Sequence, residues 1–258
     1  FLSLGEHLDN GKIMQLLTVL HTSAESKDIQ AYMNDDAVQS VFQDFGWAGK
    51  IFDTQKEQDY LMVVNTNLQG QKSDAKITQH VEHQAVVQED GSIIDTVVVR
   101  RRHEGNPGEL FYGGMNINYM RVYVPEGAIL LDAGGFSYPA EEDFKIPESW
   151  YEKDVDLANH EQREQFHDET GTRIIESFGK TVFENWVATA PGEESQAYFV
   201  YKLPFGIKSE HEIQRQNKQS WSNRLIASDD VDVSKYSLVA QRQSGVESTF
   251  ASAIIYPD

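Results

Sequence analysis

The chain has 258 residues, 40% of them hydrophobic, which is enough to bury the core of one large domain and a smaller module. It carries 41 acidic and 22 basic side chains, and the resulting formal net charge of -19 argues against nucleic acid and bare lipid as partners. The absence of cysteine excludes disulfides, thiol catalysis and thiolate metal ligands.

The first 58 residues predict a small α/β module. Ile29, Ala31 and Met33 alternate with polar residues, which predicts a short strand between two helices. The helices are predicted because apolar residues recur at helical spacing. These residues are Ile13, Leu16, Leu17 and Leu20 in the first helix, and Val38, Val41, Phe42 and Phe45 in the second.

From Asp59 onward the hydrophobic period changes to two, which is typical of strands separated by short turns. The predicted strands are 59–66, 75–88, 92–103, 114–125, 127–132, 171–177, 180–190, 195–203, 236–243 and 247–256. Because few helices separate them, we expect an antiparallel, immunoglobulin-like β-sandwich over 59–258. Two insertions interrupt it, at 137–169 and 206–232, and the first is predicted to be helical over 154–168.

An ordered set of motifs in this strand-rich region resembles the C-terminal part of a bacterial family, the domain of unknown function 4012. The motifs are Asp59-Tyr60-Leu61, Asn67-Leu68, Gly70, Lys72-Ser73-Asp74, Asn118 to Gly127, Gly179 to Phe183, Pro191-Gly192-Glu193, Tyr201 to Pro204 and Gln241 to Gly245. The chain departs from the family pattern at Ser244, where proline is expected. It also departs in the absence of the upstream portion that carries the membrane anchor.

The resemblance implies a compartment but no reaction. Members of the family resemble envelope proteins held by an N-terminal membrane helix, with most of the chain outside the cytoplasm. We therefore expect this chain at the bacterial cell surface, with an anchor upstream of it. The family's activity is not established, so the resemblance transfers no catalytic residue and no cofactor.

His160, Glu164 and His167 form the main metal-binding hypothesis. If 154–168 is helical, spacings of four and three place the side chains on one face, where they could bind zinc with a water as fourth ligand. The competing interpretation is a solvated face, because this helix would be polar nearly all round.

Two other polar sets are weaker metal candidates. Residues 65–74 follow the early part of a calcium loop, but Lys76 stands where a bidentate glutamate is needed, so an Asn-rich turn is favoured. In the run 80–83, His80 and Glu82 share one strand face while His83 faces the other way. These three side chains therefore do not converge on one ion.

Arg121 and the arginine run 100–102 each have two interpretations, one as a binding site and one as a structural feature. Arg121 lies between apolar neighbours on a predicted strand, where pairing with a buried carbonyl or carboxylate is the favoured role. In the run 100–102 only Arg100 and Arg102 share a strand face. Exposed charge at a sheet edge, which opposes aggregation, is the favoured explanation for this run.

Aromatic residues in the first insertion are the better candidates for a binding surface. Tyr138, Phe144, Trp150 and Tyr151 lie in a segment rich in Pro, Glu and Asp, and loops on a rigid scaffold commonly carry recognition residues. The alternative is that these rings pin the insertion onto the sandwich.

The sequence favours a non-enzymatic domain that binds or presents cell-wall glycan or another surface protein. One alternative is an enzyme acting on envelope glycopolymers, with part of its active site in a missing upstream domain. The other is a self-assembling surface protein. No cofactor is expected, and a homo-oligomer is left open.

Overall fold

The computed structural model describes residues 9–68, 71–140, 148–152, 154–160, 162–207 and 235–257. The chain divides into two compact units. The first comprises Phe1–Phe52 with Gln243–Gly245, and the second comprises Asp53–Arg242 with Val246–Asp258. The protein is mainly β. Within the described part of the chain, no helix combines the length and the apolar composition that a bilayer crossing requires.

The first unit contains the two predicted helices, α1 (Asn10–Glu25) and α2 (Asp36–Asp44). Each begins after an aspartate whose carboxylate accepts a hydrogen bond from a backbone N–H of the first turn. Asp9 accepts from Lys12 N at 2.8 Å, and Asp35 accepts from Val38 N at 3.0 Å.

The strand expected at 29–33 is wrong, since these residues adopt no regular structure. Ala31 N donates one hydrogen bond to Trp47 O at 3.0 Å. No strand occurs among residues 9–52, so three alternating residues have no ladder to join. The described part of this unit is therefore helical and not α/β.

The described residues of the second unit form eleven strands. They are β1 (Asp59–Asn67), β2 (Ile77–Val87), β3 (Ser92–His103), β4 (Asn116–Pro125), β5 (Ile129–Gly134), β6 (Gln162–Phe166), β7 (Arg173–Ser177), β8 (Lys180–Thr189), β9 (Glu194–Gly206), β10 (Leu238–Ala240) and β11 (Glu247–Ile255). A 3₁₀ turn spans Ser73–Lys76, and α3 spans Val155–His160. Every strand except β6 lies where the alternating pattern predicts one.

The strands form two sheets. The first sheet has the order β10-β1-β4-β8-β7-β6, and the second has the order β11-β2-β3-β9-β5. Most neighbours are antiparallel, but β1 pairs with β10 and β2 pairs with β11 in parallel. The expectation of antiparallel pairing throughout is therefore wrong. β10 follows a long connection, and β11 follows β10, which belongs to the other sheet, so no tight hairpin joins either strand to β1 or β2.

Both sheets contribute their inner faces to one hydrophobic core. In β2 and β3 every second residue is buried, as alternation of side chains across a pleated strand requires. Phe183 of the first sheet stacks on Phe199 of the second, with ring centroids 6.2 Å apart. This contact shows how closely the two inner faces approach.

The helix predicted over 154–168, within the first insertion, does not extend over that span. α3 ends at His160, and Gln162–Phe166 forms β6, which pairs antiparallel with β7 at the edge of the first sheet. The segment has no apolar stripe to hold a helix against the core, whereas pairing with β7 satisfies its backbone groups. Residues 208–232, which are most of the second insertion, lie outside the described residues.

Candidate functional site

A cluster of ionisable side chains lies inside the core of the second unit. Asp59 of β1, His83 of β2 and Asp95 of β3 occupy inward-facing positions, and their side chains are fully buried. His83 faces inward because it falls in phase with the buried Val81 and Ala85 on the same strand. The strand pattern thus brings together three polar groups that are far apart in sequence.

The imidazole of His83 lies between the two carboxylates. Its Nε2 is 3.4 Å from Asp59 Oδ2 and 3.3 Å from Asp95 Oδ2. Both separations exceed the usual length of an N–H···O hydrogen bond. Among the described residues, no hydrogen-bond partner of good geometry serves His83 Nε2 or either carboxylate oxygen of Asp95. These three side chains form the one group of His, Asp or Glu in the described chain whose ligand atoms all lie within 4.8 Å of one another.

Neighbouring groups hold Asp59 and His83 in place. His83 Nδ1 lies 3.0 Å from Ser252 Oγ on β11. Asp59 Oδ2 accepts from the Tyr236 hydroxyl at 2.5 Å, and Asp59 Oδ1 accepts from Tyr60 N at 2.7 Å. These contacts fix both rotamers, so the cluster is preorganised.

The environment shifts the protonation of this cluster. Burial by itself lowers the pKa of His83, but the nearby carboxylates of Asp59 and Asp95 outweigh it and raise the pKa to about 9. Burial raises the pKa of Asp95 to about 7, although His83 opposes the change. Burial also raises the pKa of Tyr201, the cross-strand neighbour of Asp95, well above its ordinary value.

A second polar network lies further along the inner faces, around Arg101 of β3. The buried guanidinium donates to Asn65 Oδ1 at 2.9 Å and to Asn116 Oδ1 at 3.1 Å, and its Nη2 lies 3.4 Å from Asp74 Oδ1. Burial lowers the pKa of Arg101 to about 10. Asn116 Nδ2 also donates to Asp74 Oδ1 at 2.7 Å.

This network settles two of the weaker sequence hypotheses. Two residues of the calcium-like set, Asn65 and Asp74, direct their side-chain oxygens at Arg101 and Asn116. The sheet-edge explanation of the arginine run is wrong, since β3 is an inner strand of the second sheet. Arg100 does face outward, where it pairs with Glu82.

A third ionic cluster lies on the outer face of the first sheet. Glu184 of β8 is buried and forms ion pairs with Arg121 of β4 and Arg173 of β7. The Tyr119 hydroxyl donates to Glu184 Oε2 at 3.0 Å. The expected pairing of Arg121 with a buried carboxylate is thus confirmed.

The aromatic residues proposed for binding are exposed wherever the structure describes them. The exposed fractions are 61% for Tyr138, 70% for Trp150 and 58% for Tyr151. The rings of Trp150 and Tyr151 contact each other, with centroids 4.3 Å apart. The Tyr138 hydroxyl donates to Thr170 O at 3.3 Å, which ties that loop to the β6–β7 turn. Phe144 lies outside the described residues.

The helical face assumed for His160, Glu164 and His167 does not form. Glu164 lies on β6 and pairs with Arg173, with Oε1 2.7 Å from Nε. His167 follows β6, and its Nδ1 lies 3.0 Å from Thr170 Oγ1. The His160 side chain lies outside the described part. The three residues therefore do not share one face of a helix, which the zinc hypothesis required.

The sequence reasoning missed the Asp59–His83–Asp95 cluster, although a signal was present. Assigning His83 to the opposite face from His80 and Glu82 was correct, and the same argument places it among core residues. Asp95 likewise occupies an inward position on β3, in phase with the buried Ile93 and Val97. A charged residue in phase with a buried stripe was therefore the signal.

No protein-family model matches the chain, and no curated protein matches it either.

Proposed function

We propose that the protein is an extracytoplasmic, non-enzymatic domain of the bacterial cell surface that binds cell-wall glycan through Tyr138, Trp150 and Tyr151. In this proposal the second unit is an immunoglobulin-like β-sandwich of the kind that the motif resemblance implies, and the anchor lies upstream. The observation that carries the proposal is the exposure of these three rings on the first insertion.

Two physical arguments support binding in preference to chemistry. Exposed tryptophan and tyrosine rings offer flat apolar faces with a polar edge, which suits stacking on sugar rings. By contrast, the side chains of Asp59, His83 and Asp95 have no exposed area. A substrate could reach them only if the sheets separated, so this cluster does not support an enzyme.

Sedimentation of the purified chain with isolated bacterial peptidoglycan, before and after muramidase digestion, tests the proposal. We expect saturable binding at moderate salt that is lost on digestion. Replacement of Trp150 or Tyr151 by alanine should weaken binding about 3–10-fold, because each removes one aromatic contact. Tyr256→Ala is the matched control, since Tyr256 is 55% exposed and lies in the same unit.

Three outcomes would contradict glycan binding. One is no saturable binding, and another is an equal loss in the Tyr256 variant. The third is binding to envelopes that survives glycan digestion but not protease, which would identify a surface protein as the partner. Release of soluble glycan fragments during the assay would instead favour the enzyme alternative.

A second candidate function, self-assembly, is favoured by β11. This strand is an edge of the second sheet, and most of its nine residues are exposed. No described strand pairs with its outer side. A long exposed edge is a template for pairing with another chain.

A further inference from the structure

We propose that Asp59, His83 and Asp95 bind a divalent metal ion of the zinc class, which links the two sheets through their inner faces. The site is independent of the proposed glycan surface and concerns how the fold is held together. Its ligands are His83 Nε2 and one carboxylate oxygen from each aspartate.

The distances within the cluster suit metal ligands better than an ion pair. A charge-assisted N–H···O bond is about 2.7–2.9 Å long. His83 Nε2 lies 3.4 Å from Asp59 Oδ2 and 3.3 Å from Asp95 Oδ2. Ligands placed about 2.0–2.1 Å from a tetrahedral zinc ion are about 3.4 Å apart, so these separations equal the edge of such a tetrahedron.

Several buried polar atoms in and beside the cluster are unsatisfied. In the described part of the chain, His83 Nε2, both oxygens of Asp95 and the Tyr201 hydroxyl have no hydrogen-bond partner of good geometry. Each of these three residues is buried. Unpaired polar atoms in a core are costly, and a cation at the centre of the cluster would satisfy His83 Nε2 and Asp95 together. The hydroxyl of Tyr201 or the second oxygen of Asp95 supplies a candidate fourth donor.

The charge of the donor set matches a divalent ion. When the ion displaces the Nε2 proton, His83 is neutral, so the donor set carries the two negative charges of the carboxylates, and a divalent cation neutralises them where the side chains have no exposed area. One nitrogen ligand with few oxygens suits zinc or a neighbouring transition metal, whereas calcium takes six to eight oxygen ligands.

Contacts behind the ligands resemble those of a built metal site. His83 Nδ1 lies 3.0 Å from Ser252 Oγ, which can accept the ring N–H while Nε2 binds the ion. Asp59 is oriented by hydrogen bonds from Tyr236 and from Tyr60 N. Such contacts hold metal ligands in one rotamer and tautomer.

The position of the ligands defines the ion's role. Asp59 belongs to the first sheet, while His83 and Asp95 belong to adjacent strands of the second. The ion would therefore cross-link the sheets at a place where the core is polar. Because none of the three side chains is exposed, the site leaves no room for substrate and is structural.

The test uses the whole chain, unfolded in denaturant with a chelator and then refolded with or without zinc. Bound zinc is measured by plasma emission after desalting, and the midpoint temperature of unfolding, Tm, by circular dichroism. We expect one zinc per chain. We also expect a Tm about 5–10 °C higher when free zinc is about a hundredfold above its dissociation constant.

His83→Asn should abolish both the bound zinc and the rise in Tm. His80→Asn is the matched control, because His80 lies on the same strand but faces outward, with Nε2 3.2 Å from Glu82 Oε1. It should keep both properties. Absence of zinc from the wild-type chain, zinc without a rise in Tm, or unchanged zinc in His83→Asn would each overturn the proposal.

A spectroscopic measurement covers the case in which the His83 variant does not fold. Refolding of the wild-type chain with Co²⁺ should give the intense visible absorption of a four-coordinate ion. A weak spectrum of a six-coordinate, hydrated ion would overturn the proposal. Asp95→Asn, which preserves side-chain size, should shift or remove the intense bands if it folds.

Discussion

At the scale of single residues, Gly91 illustrates how local and tertiary requirements coincide. It follows Asp90 in the turn between β2 and β3 and adopts a φ of +81°. Its backbone also meets a distant segment, because Ile207 N donates to Gly91 O at 2.8 Å. A Cβ at position 91 would lie 2.3 Å from Ile207 O, so this residue is glycine for two reasons.

Gly91→Ala should lower the free energy of unfolding by about 2–4 kcal/mol, since positive φ and a backbone clash act together. Urea denaturation followed by circular dichroism measures the loss. Gly192→Ala is a matched control, because Gly192 has a φ of +80° but nothing within 4 Å of its added Cβ. It should cost only about 1 kcal/mol. Equal losses in the two variants would show that the approach of Ile207 contributes nothing.

At the scale of elements, the ion pairs of Glu184 tie three neighbouring strands together. The carboxylate on β8 lies between Arg121 on β4 and Arg173 on β7. The Glu184 side chain has no exposed area, while each arginine side chain is 22% exposed. The network therefore combines a desolvated anion with two cations that retain some contact with water.

Glu184→Gln should destabilise the chain by about 1–3 kcal/mol. The loss stays below the roughly 3–5 kcal/mol of an orphaned buried charge, because water reaches both arginines. Urea denaturation gives the free energy of unfolding. Glu82→Gln, which removes an exposed carboxylate paired with Arg100, is the control and should change stability much less. If both variants behave alike, burial of Glu184 does not strengthen its pairs.

At the scale of the whole molecule, the edges of the second sheet bear on association between copies. β11 forms one edge and β5 the other. Both carry exposed apolar side chains, with Phe250 45% and Ile129 60% exposed. Charged residues on an edge strand oppose pairing with another chain, and this gives a way to test each edge separately.

If self-assembly proceeds through β11, the mass of the wild-type chain measured by light scattering should rise with concentration. Ala251→Lys should return it to the monomer value, because the exposed Ala251 lies on that edge. Ile129→Lys, on the opposite edge, should leave association unchanged. A constant monomer mass, or an effect of Ile129→Lys alone, would count against assembly through β11.

Much of the fold follows from local pattern. Alternation of apolar and polar residues predicts ten of the described strands, and the helical spacing of apolar residues predicts α1 and α2. β6 escapes prediction because its polar sequence is compatible with a solvated helix. Its partner β7 supplies the backbone hydrogen bonds that decide the matter.

For the candidate functional residues, too, local sequence predicts some features and not others. Exposure of Trp150 and Tyr151 is consistent with their polar, proline-containing surroundings, whereas the helical metal face required a helix that does not form. The buried cluster depends on the register between β2 and β3 and on the packing of β1, in the first sheet, over these two strands of the second. Asp59 on β1 and Asp95 on β3 are separated along the chain by the whole of β2, and no local rule brings their carboxylates together.

The sequence by itself determined every described strand except β6, the two N-terminal helices and the opposite faces of His80 and His83, because these depend on interactions between near neighbours. Only the tertiary structure decided the sheet order, the parallel edge strands and the meeting of Asp59, His83 and Asp95. These depend on contacts between residues distant in the chain, whose free energy is realised only when both sheets close on one core.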